Sequence, residues 1–558
     1  MLFGRNKEIF RFENLNGQTV LTKYAGKDPE VKVPESYEGN PVTGVGENAF
    51  YDNSKVEGVI LPDSVTKIGI NAFRGCKNLK QINIPKAVTE IGEYAFAGCA
   101  SLENIVLPEG IGEIGAGMFS KCAALKAIKV PDGVKSIGDE AFAKCAALKD
   151  ITLGDNVSAI GENAFKGCGE GLCLVLPKAL ENGDEKLFEG CGRLYRKQEN
   201  GLELLSYAGH ETVLTLDSYV NGVPVTKLGE KVFYAFAYLE KVILPEKLEE
   251  IGQNCFAGCS GLEKIELPDT LKIIGKGAFI GCGGYLDPRS GRSVSDEGLA
   301  SVTIPKGVET VGESAFAACT ALTEVIFEGE NTYISPTAFA SCPIKRFEFP
   351  KNTEEIQSGV LRGCGLIESI IIPEGVTCIW DRAFEGCVSL KQICLPESLE
   401  IIGEGAFSSC ISLESVRLPA KIREIGNEAF AFTRQLEQIE IAPENENYEI
   451  KDGCLIEKAT GKLISAVSKG MESLNVPESV TEIAPLAFAG SGIKTLVLGE
   501  NVTKIGDWAL RGSKIESLTI ENAEATLGSG ILLNTGDVDI NGDERVIEHL
   551  ISPDSDKE

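Results

Sequence analysis

A period of 23 residues governs most of this chain. Phe73, Phe96, Phe119, Phe142, Phe165 and Phe188 are each 23 residues apart, and Cys76, Cys99, Cys122, Cys145, Cys168 and Cys191 keep the same step. The unit reads L-x-x-I-x-[IL]-P-x-x-[VL]-x-x-I-G-x-x-A-F-x-x-C, with one clean copy from Leu79 to Cys99. Eighteen copies can be aligned, with Leu361 and Leu510 standing in the Phe position of two of them. A short unit repeated this often cannot bury its apolar residues alone, so its copies must stack and share one continuous core. Length alone would suggest several ordinary domains, and the repeat overrides that estimate.

Each position of the unit has a physical role. The I-x-[IL] pair (Ile82 and Ile84, or Ile128 and Val130) alternates with period two and places two apolar side chains on one side of a short strand. The Pro that follows, such as Pro85, Pro108 or Pro131, donates no ladder hydrogen bond and ends the strand. Gly occupies the position of Gly92 in 13 of 18 copies, as expected where the backbone turns tightly or takes positive φ. The Ala-Phe turn is expected to insert its ring between neighbouring coils. The resulting fold class is an α/β repeat solenoid, a leucine-rich repeat of about 18 coils of 23 residues. It would have a parallel sheet on one face, irregular or short helical turns on the other, and inserted β-hairpins.

Three segments break the period. Residues 9–24 and 195–207 each hold two alternating runs around Asn-Gly, a strong hairpin signal, and a third hairpin-like stretch starts at Tyr448. The expected organisation is a capping hairpin at 1–44, repeats at 45–194, an inserted hairpin at 195–227, and repeats at 228–442 with a loop insertion at 283–298. A hairpin at 443–473, repeats at 474–540 and an acidic tail at 541–558 complete it. The hairpins either cap and punctuate the stack, hiding sheet edges, or project from it as part of a binding surface.

At this point the repeat resembles the BspA-type (Treponema pallidum-like) leucine-rich repeat family, over roughly residues 40–520, including the hairpin DGCLIEKATGKLI. The resemblance implies a non-enzymatic, protein-binding solenoid, adhesin-like, at the cell surface or secreted. It implies partners such as the host extracellular-matrix proteins fibronectin and fibrinogen, or proteins of neighbouring cells. The N-terminus, MLFGRNKEIF, shows no signal peptide, so an intracellular, cytoplasmic interaction scaffold is the alternative.

Composition agrees with a folded, soluble chain. There are 82 acidic and 54 basic residues, a net charge of −28, which disfavours nucleic acid and anionic lipid as partners. No apolar run is long enough for a transmembrane segment. Glycan binding would call for aromatic platforms, and aromatic residues are only 7% of the chain.

Reaction centres are hard to find, and no enzyme and no cofactor are expected. The two histidines, His210 and His549, lie in a hairpin connection and in the tail, and no phosphate-binding glycine loop is present. Thirteen of the 18 cysteines share the position three after the repeat Phe, where Asn53, Thr433, Ser491 and Ser513 also occur. This set of small polar residues suggests a column in which each side chain satisfies its neighbour's backbone. Cys255 and Cys259 fall in repeat slots, so zinc is not expected. Residues Asp537 to Glu548 match the spacing of a calcium loop, but Glu544 stands at its usual apolar eighth position, and Val538 and Ile540 read better as the apolar pair of a last strand, echoing Leu518 and Ile520.

The residue between the two core positions of each strand points away from the core. This row gives the candidate protein-binding face: Asn83, Val106, Lys129, Thr152, Ile326, Glu348, Ile371 and Arg417, with Cys394 beside Ile371. Apolar members of an exposed row suggest protein contact, although β-branched residues also favour strands for their own sake.

Overall fold

The computed structural model describes residues 9–180, 188, 191–283, 298–467 and 469–551. The loop insertion expected at 283–298 lies, apart from its two ends, outside the described residues, as does the end of the tail. The chain forms two compact units, Met1–His210 with Val220–Val232 and Glu211–Tyr219 with Phe233–Glu558. Each is a β-solenoid, and together they make about 22 turns.

Three hydrogen-bonded ladders hold successive coils together. The first is the expected strand ladder: Ala127–Lys129 pairs in parallel with Asp150–Thr152, Ile128 and Val130 are buried, and Lys129 is exposed. After each strand the Pro carbonyl closes a turn, as where Val134 N–H donates to Pro131 O at 3.1 Å. The second ladder consists of two-residue strands, Glu113–Ile114 on Ser136–Ile137 on Ala159–Ile160, with each Ile inward. The third runs through the Ala-Phe turns, where Phe73 N–H donates to Ala95 O (2.8 Å) and Gly75 N–H to Ala97 O (2.7 Å).

Irregular or short helical turns were expected opposite the strands; irregular tight turns stand there, with narrow two-residue strands in place of helical ones. A 23-residue coil that spends residues on two strands and three corners has none left for a helix. The coil count is higher than the Ala-Phe signature suggests, because hairpin strands and the last coil supply turns of their own. Strand Gln18–Tyr24 of the first hairpin pairs in parallel with Asn40–Val45, and the Tyr24 ring lies 5.1 Å from that of Phe50. At the other end Leu510 N–H donates to Ile531 O at 3.0 Å, extending the turn ladder past the last copy aligned.

The repeat Phe rings form the spine of each core. Phe73 and Phe96 stack at 5.4 Å and 2°, and Phe142 and Phe165 at 5.7 Å and 0°. Each ring is fully buried, worth roughly 1.5–3 kcal/mol of transfer free energy. In the second unit the stack runs from Phe233 through Phe256, Phe279 and Phe316 to Phe339.

The repeat Gly has a different cause from the one expected. Gly69, Gly92 and Gly138 do not take positive φ; that conformation falls two residues later, at Asn71, Tyr94 and Glu140. A Cβ on Gly92 would instead lie 2.5 Å from the backbone nitrogen of Ile70, in the preceding coil. Close approach between coils, not local turn geometry, selects glycine there.

The hairpins belong to the ladders. Strand Arg193–Gln198 pairs in parallel with Cys173–Leu176 and antiparallel with Gly201–Tyr207, which pairs in parallel with Val223–Leu228. Its register is pinned by the buried carboxylate of Glu203, which accepts from Arg196 Nη2 (2.5 Å) and Gln198 Nε2 (2.7 Å). The third hairpin packs three strands, Tyr448–Lys451, Cys454–Glu457 and Lys462–Ala466. There the buried Tyr448 hydroxyl accepts the N–H of Ile425 at 2.8 Å, taking the place of a ladder carbonyl.

Residues 541–551, assigned to an acidic tail from the sequence, complete the fold. Strand Asp539–Gly542 pairs with Ser517–Ile520, and the following α-helix, Glu544–Ile551, buries Val546 against the last core. The apolar pair is shifted by two from the one expected: Ile540 stands opposite Leu518, and Gly542 opposite Ile520.

Candidate functional site

All eight residues proposed for the binding face are exposed. They are not equivalent. Lys129, Thr152 and Arg417 sit on continuous stretches of strand ladder, and Arg417 Nη1 is held by Glu397 at 2.6 Å. Asn83 is committed to its own fold: its amide accepts from Leu61 N–H (2.7 Å) and donates to Leu61 O (3.1 Å). The remaining four, with Asn83, flank two places where the ladders open.

In the first unit, strand Gln81–Asn83 ends one sheet, and the next coil keeps only a single bridge, Asn104 to Ala127, on its far side. The second ladder ends at the same junction, after Glu90–Ile91. The turn ladder continues, with Phe96 N–H on Met118 O at 3.0 Å. Val106, 83% exposed, lies in this opening.

In the second unit the opening centres on the coil of Phe347 and Phe349. Leu361 takes the Phe slot of this coil, and the ring contacts detour around it: Phe339 to Phe347 (5.3 Å), Phe347 to Phe349 (4.9 Å), Phe349 to Phe384 (6.5 Å). The strand segment 345–349 keeps one bridge to its predecessor, Glu324 to Arg346, and no ladder to strand Ser369–Ile371. Two grooves flank it. One of about 480 Å³ is lined by Ile326, Glu328, Glu330, Arg346, Glu348 and Lys351; one of about 520 Å³ is lined by Arg346, Glu348, Phe349, Ser369, Ile371 and Pro373.

The structure therefore brings Ile326, Glu348 and Ile371 together, with Cys394 in register beside Ile371. Arg346, Phe349 and Ser369 join them without having been singled out. A signal for the irregularity was present in the sequence: three consecutive coils replace the repeat Gly by Ser335, Gln357 and Trp380. Arg346 Nη2 contacts Glu348 at 2.5 Å and Lys351 contacts Glu330 at 3.8 Å, while Glu324 and Glu328 have no ion-pair partner among the described residues.

The cysteines form the expected column. Cys99 Sγ donates to Phe73 O at 3.2 Å, Cys122 to Phe96 O at 3.2 Å, and Cys145 to Phe119 O at 3.1 Å. Burial pushes the Cys76 and Cys122 thiols up to about 12, so thiolate chemistry is suppressed along the column. In the segment matching a calcium loop, Asp543 Oδ1 accepts the Arg545 N–H at 3.0 Å and Asp539 to Gly542 are in a strand. Among the described residues no group of three or more His, Cys, Asp or Glu side chains is arranged to hold a metal ion.

A model of the BspA type leucine rich repeat region matches this sequence in six copies, over residues 43–171, 113–198, 217–286, 292–383, 354–463 and 466–541. The chain belongs to the BspA-type leucine-rich repeat family. Among solved structures, a leucine-rich repeat protein from Bacteroides ovatus is 27% identical, covering 78% of this chain and 97% of its own, with a TM-score of 0.33. A leucine rich cell surface protein from Faecalibacterium prausnitzii is 25% identical, covering 78% and 93%, with a TM-score of 0.27. The leucine rich repeat protein of T. pallidum is 25% identical, covering 46% and 89%, with a TM-score of 0.24. No protein of curated function matches this BspA-type sequence. Among its described residues, no helix is long and apolar enough to cross a membrane.

Proposed function

We propose that this BspA-type repeat protein is a non-enzymatic scaffold that binds other proteins through its strand face, in an adhesin-like role at the bacterial surface. The observation that carries the reading is the exposed row itself. Ile326 and Ile371 stand 46% and 72% exposed beside two grooves, while Val325 and Ile370, next to them on the same strands, are buried. Exposed aliphatic side chains on a rigid frame are the usual anchors of a protein interface. The surface location is supported by the F. prausnitzii relative, described as a cell surface protein. The alternative, an intracellular scaffold, is favoured by the column of free thiols, which suits a reducing compartment.

Two measurements test the reading. Protease added to intact cells should cleave a surface protein and spare an internal one. The purified chain should bind immobilised fibronectin or fibrinogen, and the exchanges Ile326→Lys and Ile371→Lys should weaken that binding by about tenfold or more. Protection in intact cells removes the surface role; matrix binding that ignores both exchanges removes the strand face.

A further inference from the structure

Strand Phe10–Leu15 is the last of its sheet. It pairs antiparallel with Gln18–Tyr24, and its other side meets no strand among the described residues. The second hairpin shows what that side can hold. Its first strand, Arg193–Gln198, stands at the same place 183 residues on, with the same irregularity after its second residue. There the corresponding side is occupied by strand Cys173–Leu176. Among the described residues no coil precedes the first hairpin, so none limits the room beside Phe10–Leu15.

The direction of the main-chain groups follows from their partners. Ile9 O accepts the Ala25 N–H at 2.7 Å and Arg11 O the Thr22 hydroxyl at 3.3 Å. Arg11, Glu13 and Leu15 therefore turn their N–H and C=O toward Gln18–Tyr24, and Phe10, Phe12 and Asn14 turn theirs to the open side. Such a row of free donors and acceptors is a template for another strand.

Charge selects the guest. A second copy of this strand, laid antiparallel and centred on Arg11, would set Arg against Arg; centred on Glu13, it would set Glu against Glu. Centred on Phe12, it sets Arg11 opposite Glu13 twice, in the pairs without main-chain bonds, where side chains lie closest. That register also uses every open residue, with Phe12 facing Phe12 and Phe10 facing Asn14, for about six main-chain hydrogen bonds. A lone charge on an edge strand repels a second copy, whereas the alternation of Arg11 and Glu13 matches its own antiparallel image. Neither side chain has an ion pair among the described residues; the Glu13 carboxylate accepts only the Thr22 hydroxyl, at 3.5 Å. Phe12, half-buried and stacked on Tyr37 at 4.8 Å, would be covered further by its counterpart. Residues 1–32 hold six basic and four acidic residues, a net charge of +2 in a chain of −28, so acidic repulsion between copies is not concentrated at this end. A head-to-tail stack would instead set this edge against the last coil of the second unit, where helix Glu544–Ile551 buries Val546 against the core.

We infer that two copies of this chain join through strand Phe10–Leu15, antiparallel about Phe12, into a dimer whose sheet runs on from one copy into the other. The contact is made by the same residues on both sides, so it closes at two. The dimer presents the strand face twice, which strengthens attachment to a surface carrying many copies of a partner.

The test is sedimentation equilibrium of the full chain near physiological ionic strength, over about a hundredfold range of concentration. A reversible monomer–dimer equilibrium is expected. Arg11→Glu and Glu13→Arg each set like charges opposite one another and should weaken the dimer about tenfold or more. The double exchange restores opposite charges and should regain the dimer, and an equal mixture of the two single variants should form mixed dimers. Both side chains are exposed, so the core is left alone, and Lys129→Ala on the strand face should leave the dimer unchanged. A monomer at every concentration, an open series of larger species, single exchanges without effect, or a double exchange no better than the singles each overturns the inference.

Discussion

The thiol of Cys122 donates to the carbonyl of Phe96, 26 residues back in the preceding coil, at 3.2 Å. The geometry repeats along the column. Where serine takes the slot, at Ser491 and Ser513, the hydroxyl is buried with no hydrogen-bond partner. Thr433, in the same slot, turns its hydroxyl to Phe430 O of its own turn at 2.6 Å instead. Serine is thus a poor replacement for cysteine here, even though the two share hydrogen-bonding capacity.

From this follows a pair of opposite outcomes. Cys122→Ser should destabilise the first unit by about 1–3 kcal/mol, the cost of a buried unsatisfied polar group. Ser513→Cys should stabilise the second by about 0.5–1.5 kcal/mol, the net worth of a gained hydrogen bond. The spacing supports it, since Cys364 bonds Phe339 O across 25 residues at 3.2 Å and Ser513 stands 25 residues after Phe488. Denaturant midpoints of the single variants measure both.

The same burial makes stability sensitive to alkali. The Cys76, Cys122 and Cys410 thiols are pushed up to about 12 in the fold, from a usual value near 9. Raised values mean that the folded state holds its thiol protons after the unfolded chain has released them. Their contribution is therefore intact below about pH 9 and is lost as pH rises toward about 12, at up to ~1.4 kcal/mol per pH unit per thiol. Unfolding midpoints should be flat near neutrality and fall above about pH 9, less steeply in a variant with several column cysteines replaced by alanine.

Two glycines in the same slot of the repeat should behave differently. A Cβ on Gly92 would meet the Ile70 nitrogen at 2.5 Å, whereas on Gly115, at the first opening, nothing lies nearer than 3.4 Å. Gly92→Ala should cost about 1–3 kcal/mol through overpacking, and Gly115→Ala less than about 0.5 kcal/mol. Thermal melts of the two variants separate coil contact from local turn geometry; equal losses would reject it.

The stack, the inward and outward rows and the cysteine column were all legible from periodicity, because each rests on a side chain repeated in register. What escaped was set by neighbours rather than by the unit. The Gly92 slot looked like a turn because its constraint comes from Ile70 in another coil. The second ladder is two residues wide, too short for any pattern to announce it. Of the candidate face, outward orientation was readable for every residue. That Asn83 is tied to Leu61, or that Ile326, Glu348 and Ile371 share an opening, depends on which coils are unpaired.

The buried Glu203 gives a prediction about the second hairpin. Its carboxylate holds Arg196 and Gln198 and lies 3.8 Å from Lys227, whose side chain, like that of Arg196, is about one-third exposed. Removing it takes the carboxylate from Arg196 and Gln198 at the strand that joins two ladders. Glu203→Ala should destabilise the first unit by about 2–3 kcal/mol, below the full cost of breaking a buried pair because solvent reaches the cations. Hydrogen exchange should show the loss first in Gly201–Tyr207.

Leu361 and the Phe347–Phe349 pair form a compensated exchange. The ring column skips Leu361, and the two phenylalanines of the strand segment carry ring contact from Phe339 to Phe384. Restoring the consensus by Leu361→Phe adds a ring to space that Phe349 already fills, which should cost about 1–3 kcal/mol. Phe349→Leu alone opens a cavity of the kind that costs about 1–3 kcal/mol when part of a ring is lost. Combined, the two should recover at least about 0.5 kcal/mol of the summed losses, the coupling expected of residues that share one space. Strictly additive losses in a double-mutant cycle would mean that the opening beside Ile371 has another cause. Recovery would tie this gap to the way Phe347 and Phe349 fill the slot rather than to the loss of the ring as such, because the coil of Leu510 also lacks the Phe and keeps strand Thr495–Leu498 paired on both sides.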